Sequence, residues 1–329
     1  MTEDVEARLK TILESPPPSQ GDKSIKAHLL ADVHCMLAEC ILYDDVQDAI
    51  LWTDILGRRF HKLPLSGGVG IVTRDLPAML CSFALRPQGL PGYLCAWEDG
   101  FQLYDLDNGV ALSEKSLGED VSPAKLPTRL NDGRCDAQGR RFICGGFYGE
   151  VAGNKMKVFK CEYNDEGKLC HQPILDGIEV TNSICFAPTD GNTMYFADSP
   201  TQKIYAYDYD TKTGNVSGRQ LVHTMSQGVP DGSICDSEGF VWNTVWRDGD
   251  GPSMVNRIDS ATGEVVFTVN MPDSTSQVSC CCLGGKNLDI LFITTASSGR
   301  DIADEPHAGA IYAAKVGVKG IKEARFIGE

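Results

Sequence analysis

The sequence predicts an all-β protein, a six-bladed β-propeller with a short N-terminal helical extension. Three observations predict it. From Ile25 onward, short apolar runs rich in β-branched and aromatic residues alternate with turn signals. A four-strand meander recurs at a period of about 50 residues. No helical pattern of about 10–15 residues lies between the strands, as a parallel α/β fold would require.

The elements follow in order. Val5, Leu9, Ile12 and Leu13 recur at helical spacing, and Pro16-Pro17-Pro18 ends that helix. Residues 1–25 are therefore expected to form a helix and a Pro-rich linker, and residues 26–329 the propeller. The clearest blade runs from Glu179 to Val222. Asn182–Phe186, Thr193–Asp198 and Lys203–Asp208 read as strands, and Gln220-Leu221-Val222 ends a fourth. Thr189–Asn192 and Thr211–Asn215 supply turns. Comparable units start near Glu39, Leu80, Asn131, Asn182, Asp231 and Ser279. A propeller leaves two exposed edges unless its ring closes. Lys26–Leu30 precedes the first unit and is free to pair beside Ala310–Ala314 in the last.

Composition narrows the function. Thirty Lys+Arg against 45 Asp+Glu gives a net charge of −15, which argues against binding to nucleic acid or an anionic membrane. The 13 cysteines form no Cys-x-x-Cys pair, so they read as free, mostly buried thiols of a reducing compartment. The N-terminus has no apolar secretory core, and no run of about 18 apolar residues occurs. The expectation is a cytoplasmic protein, a monomer or weak dimer.

Propeller geometry says where the chemistry sits. Each inner strand begins at one end of the central channel, so residues far apart in sequence converge there. Glu39, Asn131, Asn182 and Asp231 share that phase. Asn-Asp-Gly and Asp-Gly are ordinary turn sequences taken singly; their common phase points to a funnel instead. Two carboxylates gathered at one point repel unless a cation sits among them. Oxygen ligands suit Ca²⁺, Mg²⁺ or Mn²⁺, and Zn²⁺ also accepts carboxylates. Serine-hydrolase chemistry lacks its Gly-x-Ser-x-Gly elbow. The six histidines fall outside the funnel phase, and Asp248–Gly251 lacks the spacing of a calcium-binding EF-hand loop.

These segments carry a resemblance to the SMP-30/gluconolactonase family, which includes regucalcin and the sugar lactonases. The matching stretches are Ala38-Glu39, Ile50–Gly57, Arg129–Gly133 with Asp136–Arg140, Asn182 with Tyr195–Ser199, Pro230-Asp231-Gly232, Cys281–Asn287 and Ala308–Tyr312. The resemblance implies one divalent metal ion (Ca, Zn, Mn or Mg) held by Glu39, Asn182 and Asp231. It implies substrate contacts from Arg129 and Asn131, with Asp231 as general base. The implied reaction is hydrolysis of a sugar lactone to its aldonic acid. Alternatives are other lactones or phosphotriesters on the same site, or a non-enzymatic calcium-binding protein. The chain departs from the family in having Ala38-Glu39-Cys40-Ile41 where relatives often carry Gly-Glu-(Gly or Ser)-Pro, which bears on the loop shape beside Glu39. Glu150 is the nearest candidate for a further acidic group over the substrate. Pro87–Gly92, Tyr148–Lys155 and Arg247–Gly251 are expected to overhang the funnel and set selectivity.

Overall fold

In the computed structural model, residues 2–67, 70–117, 128–148, 155–249, 251–272 and 274–328 are described. Six antiparallel sheets follow one another along the chain as the blades of a propeller. Their inner strands are Ala38–Asp44, Leu80–Ala84, Thr128–Cys135, Thr181–Phe186, Val229–Cys235 and Val278–Gly284. Among the described residues no helix is long and apolar enough to cross a membrane.

The ring closes as expected. His28–Ala31 is the outer strand of the sixth blade and pairs antiparallel with Ile311–Lys315, with Leu29 opposite Tyr312. An unforeseen strand precedes it. Ser24–Lys26 lies parallel to Val265–Asn270 and adds a fifth strand to blade five. The N-terminal segment therefore crosses the seam between blades five and six. The helix spans Thr2–Glu14 and buries Leu9 and Ile12, while Leu13 stays on the exposed side. Leu9 and Ile12 join the apolar cluster around Leu30, Ile311 and Trp52.

The core lies between neighbouring blades. Leu42, Leu51 and Phe60 of blade one pack on Phe83, Tyr93 and Cys95 of blade two. Phe60 meets Phe83 edge-on at 5.6 Å between ring centroids, a favoured aromatic geometry. All 13 cysteines are free thiols, and 12 of them are buried.

The C-terminal tail shuts the far end of the channel. Ser237 donates to the Lys319 carbonyl at 2.8 Å, and Phe326 donates to the Leu85 carbonyl at 2.8 Å. The Ile327 amide reaches the Gly139 carbonyl at 2.8 Å, and Arg325 pairs with Asp44 at 2.6 Å. Phe326 is fully buried. The tail thus touches blades one, two, three and five, and the funnel opens at the opposite end. A cavity of about 250 Å³ lies beneath the tail, lined by Arg134, Cys185, Cys235 and Glu323, and neither Glu39 nor Asp231 lines it.

One expectation is corrected here. Pro87–Gly92 follows the inner strand of blade two, so it lies where inner strands end. It shares a pocket there with Asp44 and Arg325 of the closed face. It does not overhang the funnel. The connections between second and third strands lie at the opposite end, and Arg247–Gly249 belongs to one of these, with residue 250 outside the described residues.

Candidate active site

All six inner strands share one irregularity at the same depth. The pairing with the second strand shifts between Glu39 and Leu42, Leu80 and Ser82, Leu130 and Gly133, Asn182 and Cys185, Pro230 and Ser233, and Val278 and Cys281. A β-bulge breaks the alternation of faces and re-aims the side chains beside it. Two residues following bulge-level side chains are left-handed without being glycine: Cys40 has φ 48° and Ser183 has φ 62°. That conformation costs a non-glycine residue about 1–2 kcal/mol. Cys40 adopts the glycine-like backbone within the buried strand that carries Glu39.

The Asn-Asp-Gly and Asp-Gly sequences are strand interiors, not turns. Their glycines are required by close approach of adjacent inner strands. A Cβ on Gly232 would lie 2.7 Å from Cys280 Sγ and 2.8 Å from Cys280 Cα. A Cβ on Gly133 would lie 2.8 Å from both Cys144 Cβ and Ser82 Oγ.

Glu39, Asn131, Asn182 and Asp231 are each buried, although none is apolar. Hydrogen bonds link Asn131, Asn182 and Asp231 across blades three, four and five. Asn131 Nδ2 donates to the Thr181 carbonyl at 2.8 Å and to Asn182 Oδ1 at 3.2 Å. Arg129 donates to Asn131 Oδ1 and, at 2.9 Å, to the Leu130 carbonyl. Its guanidinium stacks 4.5 Å from the Phe147 ring centroid. Asn182 Nδ2 donates to Ser199 Oγ at 2.8 Å, and Ser199 donates onward to the Pro230 carbonyl at 2.7 Å. Ser199 therefore fixes which way the Asn182 amide points and ties it to the residue before Asp231. Ser183 Oγ donates to the Asp231 carbonyl at 2.6 Å. Asn243 supports the same strand from behind, donating to the Asp231 carbonyl at 3.2 Å and to Ser233 Oγ at 2.9 Å.

The electrostatics are those of carboxyls gathered in a desolvated site. Burial, and then the Asp132 carboxylate, push Glu39 up to about 8 against a partial offset from Arg129. Burial, then the charges of Glu39 and Asp132, hold Asp231 well above the ordinary carboxylate range. Proximity of like charges in a desolvated site drives both shifts. Arg129 supplies one positive charge against three carboxylates. The carboxylates of Glu39 and Asp231 and the amide oxygen of Asn182 form an all-oxygen donor set that fits a hard divalent ion. A divalent ion would reverse both shifts.

Sequence reasoning passed over Asp132, Ser199 and Asn243. Asp132 neighbours Asn131, and strict alternation would turn it away from the funnel; the bulge defeats that inference. Its Oδ2 accepts the Ile184 amide at 2.9 Å and latches blade three to blade four. Ser199 carried one usable signal, its position directly after the Tyr195–Asp198 strand of the repeated phrase. Asn243 carried none. Glu150 lies outside the described residues, as does most of the Tyr148–Lys155 connection.

Outside the funnel, one group of three acidic, thiol or imidazole side chains comes together among the described residues. Cys35, Asp54 and His61 are all buried, with ligating atoms within 4.8 Å of one another. Burial pushes the Cys35 thiol up to about 12 and His61 down to about 4.

Comparison with known proteins places this geometry in a family. The family model for the SMP-30/gluconolactonase/LRE-like region matches residues 37–297. Regucalcin of Xenopus laevis is 30% identical over 93% of this chain and 99% of its own. The 6-deoxy-6-sulfogluconolactonase of Pseudomonas putida is 31% identical over 89% of this chain and 96% of its own. The crystal structure of a calcium-binding protein, regucalcin from Agrobacterium tumefaciens, superposes with a TM-score of 0.80 at 27% identity, covering 92% of this chain and 98% of that one. The chain belongs to the SMP-30/gluconolactonase/LRE-like family.

Proposed function

We propose that the protein hydrolyses a sugar lactone to its aldonic acid in the funnel, with a divalent ion held by Glu39, Asn182 and Asp231. The observation that carries this reading is the pair of buried carboxyls, Glu39 and Asp231, facing one polar funnel with Arg129 beside them. Kinship with the P. putida sulfogluconolactonase supports the substrate class. The ion, when bound, supplies Lewis acidity toward the lactone carbonyl and acidifies water.

The remaining chemistry belongs to the chain. Asp231, buried at the funnel beside Glu39, accepts the proton of the attacking water. Arg129, braced on Phe147, donates charge-assisted hydrogen bonds to substrate oxygens. Both Asn131 amide protons are spent within the protein. Its role is then to hold Arg129 and Asn182 in register, with a lone pair of Oδ1 left for a sugar hydroxyl. The closed far end leaves one route for substrate and product.

The test is turnover of an aldonolactone panel by metal-stripped protein with Ca²⁺, Zn²⁺, Mn²⁺ or Mg²⁺ restored singly. Asp231→Ala should abolish turnover at unchanged circular dichroism; full activity in that variant refutes the reading. Likeness to the Agrobacterium calcium-binding protein supports calcium as an ion to test, and a second reading is calcium binding alone. Tight calcium binding with no turnover on any lactone under any ion would select it.

A further inference from the structure

The Cys35–Asp54–His61 group contributes nothing to the funnel chemistry, yet it is built like a ligand set. Cys35 Sγ lies 3.7 Å from His61 Nε2. Two ligands on one tetrahedral zinc ion, with Zn–S of about 2.3 Å and Zn–N of about 2.0–2.1 Å, stand about 3.6 Å apart. The observed spacing is therefore already that of a tetrahedron edge, and an Asp54 oxygen is within 4.8 Å of both atoms.

The surroundings orient each donor. His61 Nδ1 lies 3.0 Å from Thr73 Oγ1, and with that nitrogen protonated the Nε2 lone pair faces Cys35. A second partner on the far nitrogen is the usual companion of a metal-bound imidazole. Trp52 stacks on the ring at 5.0 Å and 11°, fixing its plane. Asp54 Oδ1 accepts the amides of Leu37 at 2.9 Å and Gly57 at 3.0 Å, while Oδ2 accepts only that of Met36 at 3.1 Å. A carboxylate has about four lone-pair sites, so one remains. Cys35 is held from blade six, its amide donating to the Gly309 carbonyl at 2.9 Å and its carbonyl accepting Ser297 Oγ at 3.0 Å.

The equivalent aspartate of blade four shows what the cap needs by itself. Asp198 Oδ1 accepts the amides of Glu179 at 3.1 Å and Val180 at 2.9 Å, the same service Asp54 gives to Met36 and Leu37. Among the described residues that blade assembles no thiol and imidazole around its cap. Cys35 and His61 are therefore additions beyond what the turn requires.

We propose that Cys35, Asp54 and His61 form a second metal site, separate from the funnel, for a borderline-soft divalent ion of the zinc type. The mixed sulfur, nitrogen and oxygen set selects such an ion over Ca²⁺ or Mg²⁺. Binding breaks the Cys35 S–H bond, releases the proton to solvent and forms the metal–sulfur bond. One thiolate and one carboxylate then balance the two positive charges, as burial requires. Three protein ligands leave the fourth position to water, so the site is more open than a closed structural one. Its place is the seam between the closing blade and blade one, four residues before Glu39.

The test uses the full chain stripped of metal and titrated with Co²⁺, whose thiolate charge-transfer absorption reports a metal–sulfur bond. Wild type should gain that absorption, saturating within two equivalents because the funnel takes the other ion. Asp231→Asn, which alters the funnel alone, should keep it, and Cys35→Ser should lose it. If Cys35→Ser fails to fold, His61→Gln reads the same bond: its band should shift and its cobalt affinity should fall more than tenfold, since loss even of a ligand's outer-shell partner costs about 10–100-fold. No band in wild type, or a band unchanged in Cys35→Ser or in His61→Gln, overturns the proposal.

Discussion

Replacing Glu39 by glutamine should stabilise the metal-free protein while disabling its proposed ion site. The reasoning starts from the direction of the Glu39 shift. Burial and the Asp132 charge raise its carboxyl from about 4.5 to about 8 in the folded chain. A group whose folded value is raised contributes stability that is complete below the unfolded value and is lost as pH rises through the folded one. The window therefore runs upward from about pH 4.5 to about pH 8. By linkage, the loss for this group at about pH 7 is on the order of 3 kcal/mol. Glutamine keeps the shape and carries no charge, and it also relieves Asp231 of its nearest like charge, an effect of the same sign. Urea unfolding of metal-stripped wild type and Glu39→Gln at about pH 5 and about pH 8 makes the comparison. The midpoints should nearly coincide at the lower pH, and the variant should be the more stable at the higher. Saturating Ca²⁺ or Mg²⁺, which the sulfur- and nitrogen-bearing Cys35–Asp54–His61 set disfavours, should then stabilise wild type alone. Parallel pH profiles for the two metal-free proteins would refute the reasoning, because Glu39 would then not be a strained carboxyl of a shared site.

Two further outcomes follow from the same geometry. Ser199→Ala removes the acceptor that orients Asn182 and the donor that holds the Pro230 carbonyl; calorimetric titration should show divalent-ion affinity lowered about 10–100-fold, the usual cost of losing a ligand's support, and thermal unfolding should show a loss on the order of 1–3 kcal/mol from the buried partners left unpaired. Gly232→Ala drives a Cβ to 2.7 Å from Cys280 Sγ and 2.8 Å from its Cα; denaturant unfolding should show a loss of about 1–3 kcal/mol from overpacking, and wild-type stability in that variant would mean the inner strands are less tightly spaced than described.

The architecture was legible because repetition multiplies weak signals. A single Asp-Gly reads as a turn, but Glu39, Asn131, Asn182 and Asp231 at one phase of a six-fold repeat read as a funnel, and the structure brings them to one depth. Closure by the segment before the first blade was legible for a different reason: an unpaired strand must go somewhere, and one edge remained, although the closing strand is His28–Ala31 and Lys26 joins blade five instead. What stayed hidden breaks the repeat or lies outside it. Asp132 turns inward only because a bulge interrupts the alternation on which face assignments rest. Ser24–Lys26 pairs parallel to blade five, and no local pattern distinguishes that from a linker. The tail from Val316 to Gly328 is irregular, so hydrophobic periodicity is silent about it, although Phe326 is fully buried. Pro87–Gly92 was assigned to the wrong face because composition marks a loop without saying at which end of the strand it lies.

The distribution of the proposed ligands ties ion binding to ring closure. Glu39 belongs to blade one, Asn182 to blade four and Asp231 to blade five. Blades four and five are joined directly by Ser199 and Ser183, so those two ligands are preset relative to one another. Glu39 is not bound to them by any such chain. It reaches the funnel across the seam where blade six meets blade one, through the bond from Ser279 Oγ to the Ala38 carbonyl at 2.5 Å and the pairing of His28–Ala31 with Ile311–Lys315. An ion that needs all three ligands binds only the closed ring, and a ligand of the native state alone raises stability in proportion to the logarithm of its concentration over Kd. The same seam holds Cys35, Asp54 and His61. Ion binding at either place therefore acts on the junction where the propeller is completed by its two chain ends, and opening of that junction in metal-free protein should expose the amides of His28–Ala31 to hydrogen exchange before those of blades three and four. Equal protection of both regions would show that the seam is no weaker than the other blade junctions.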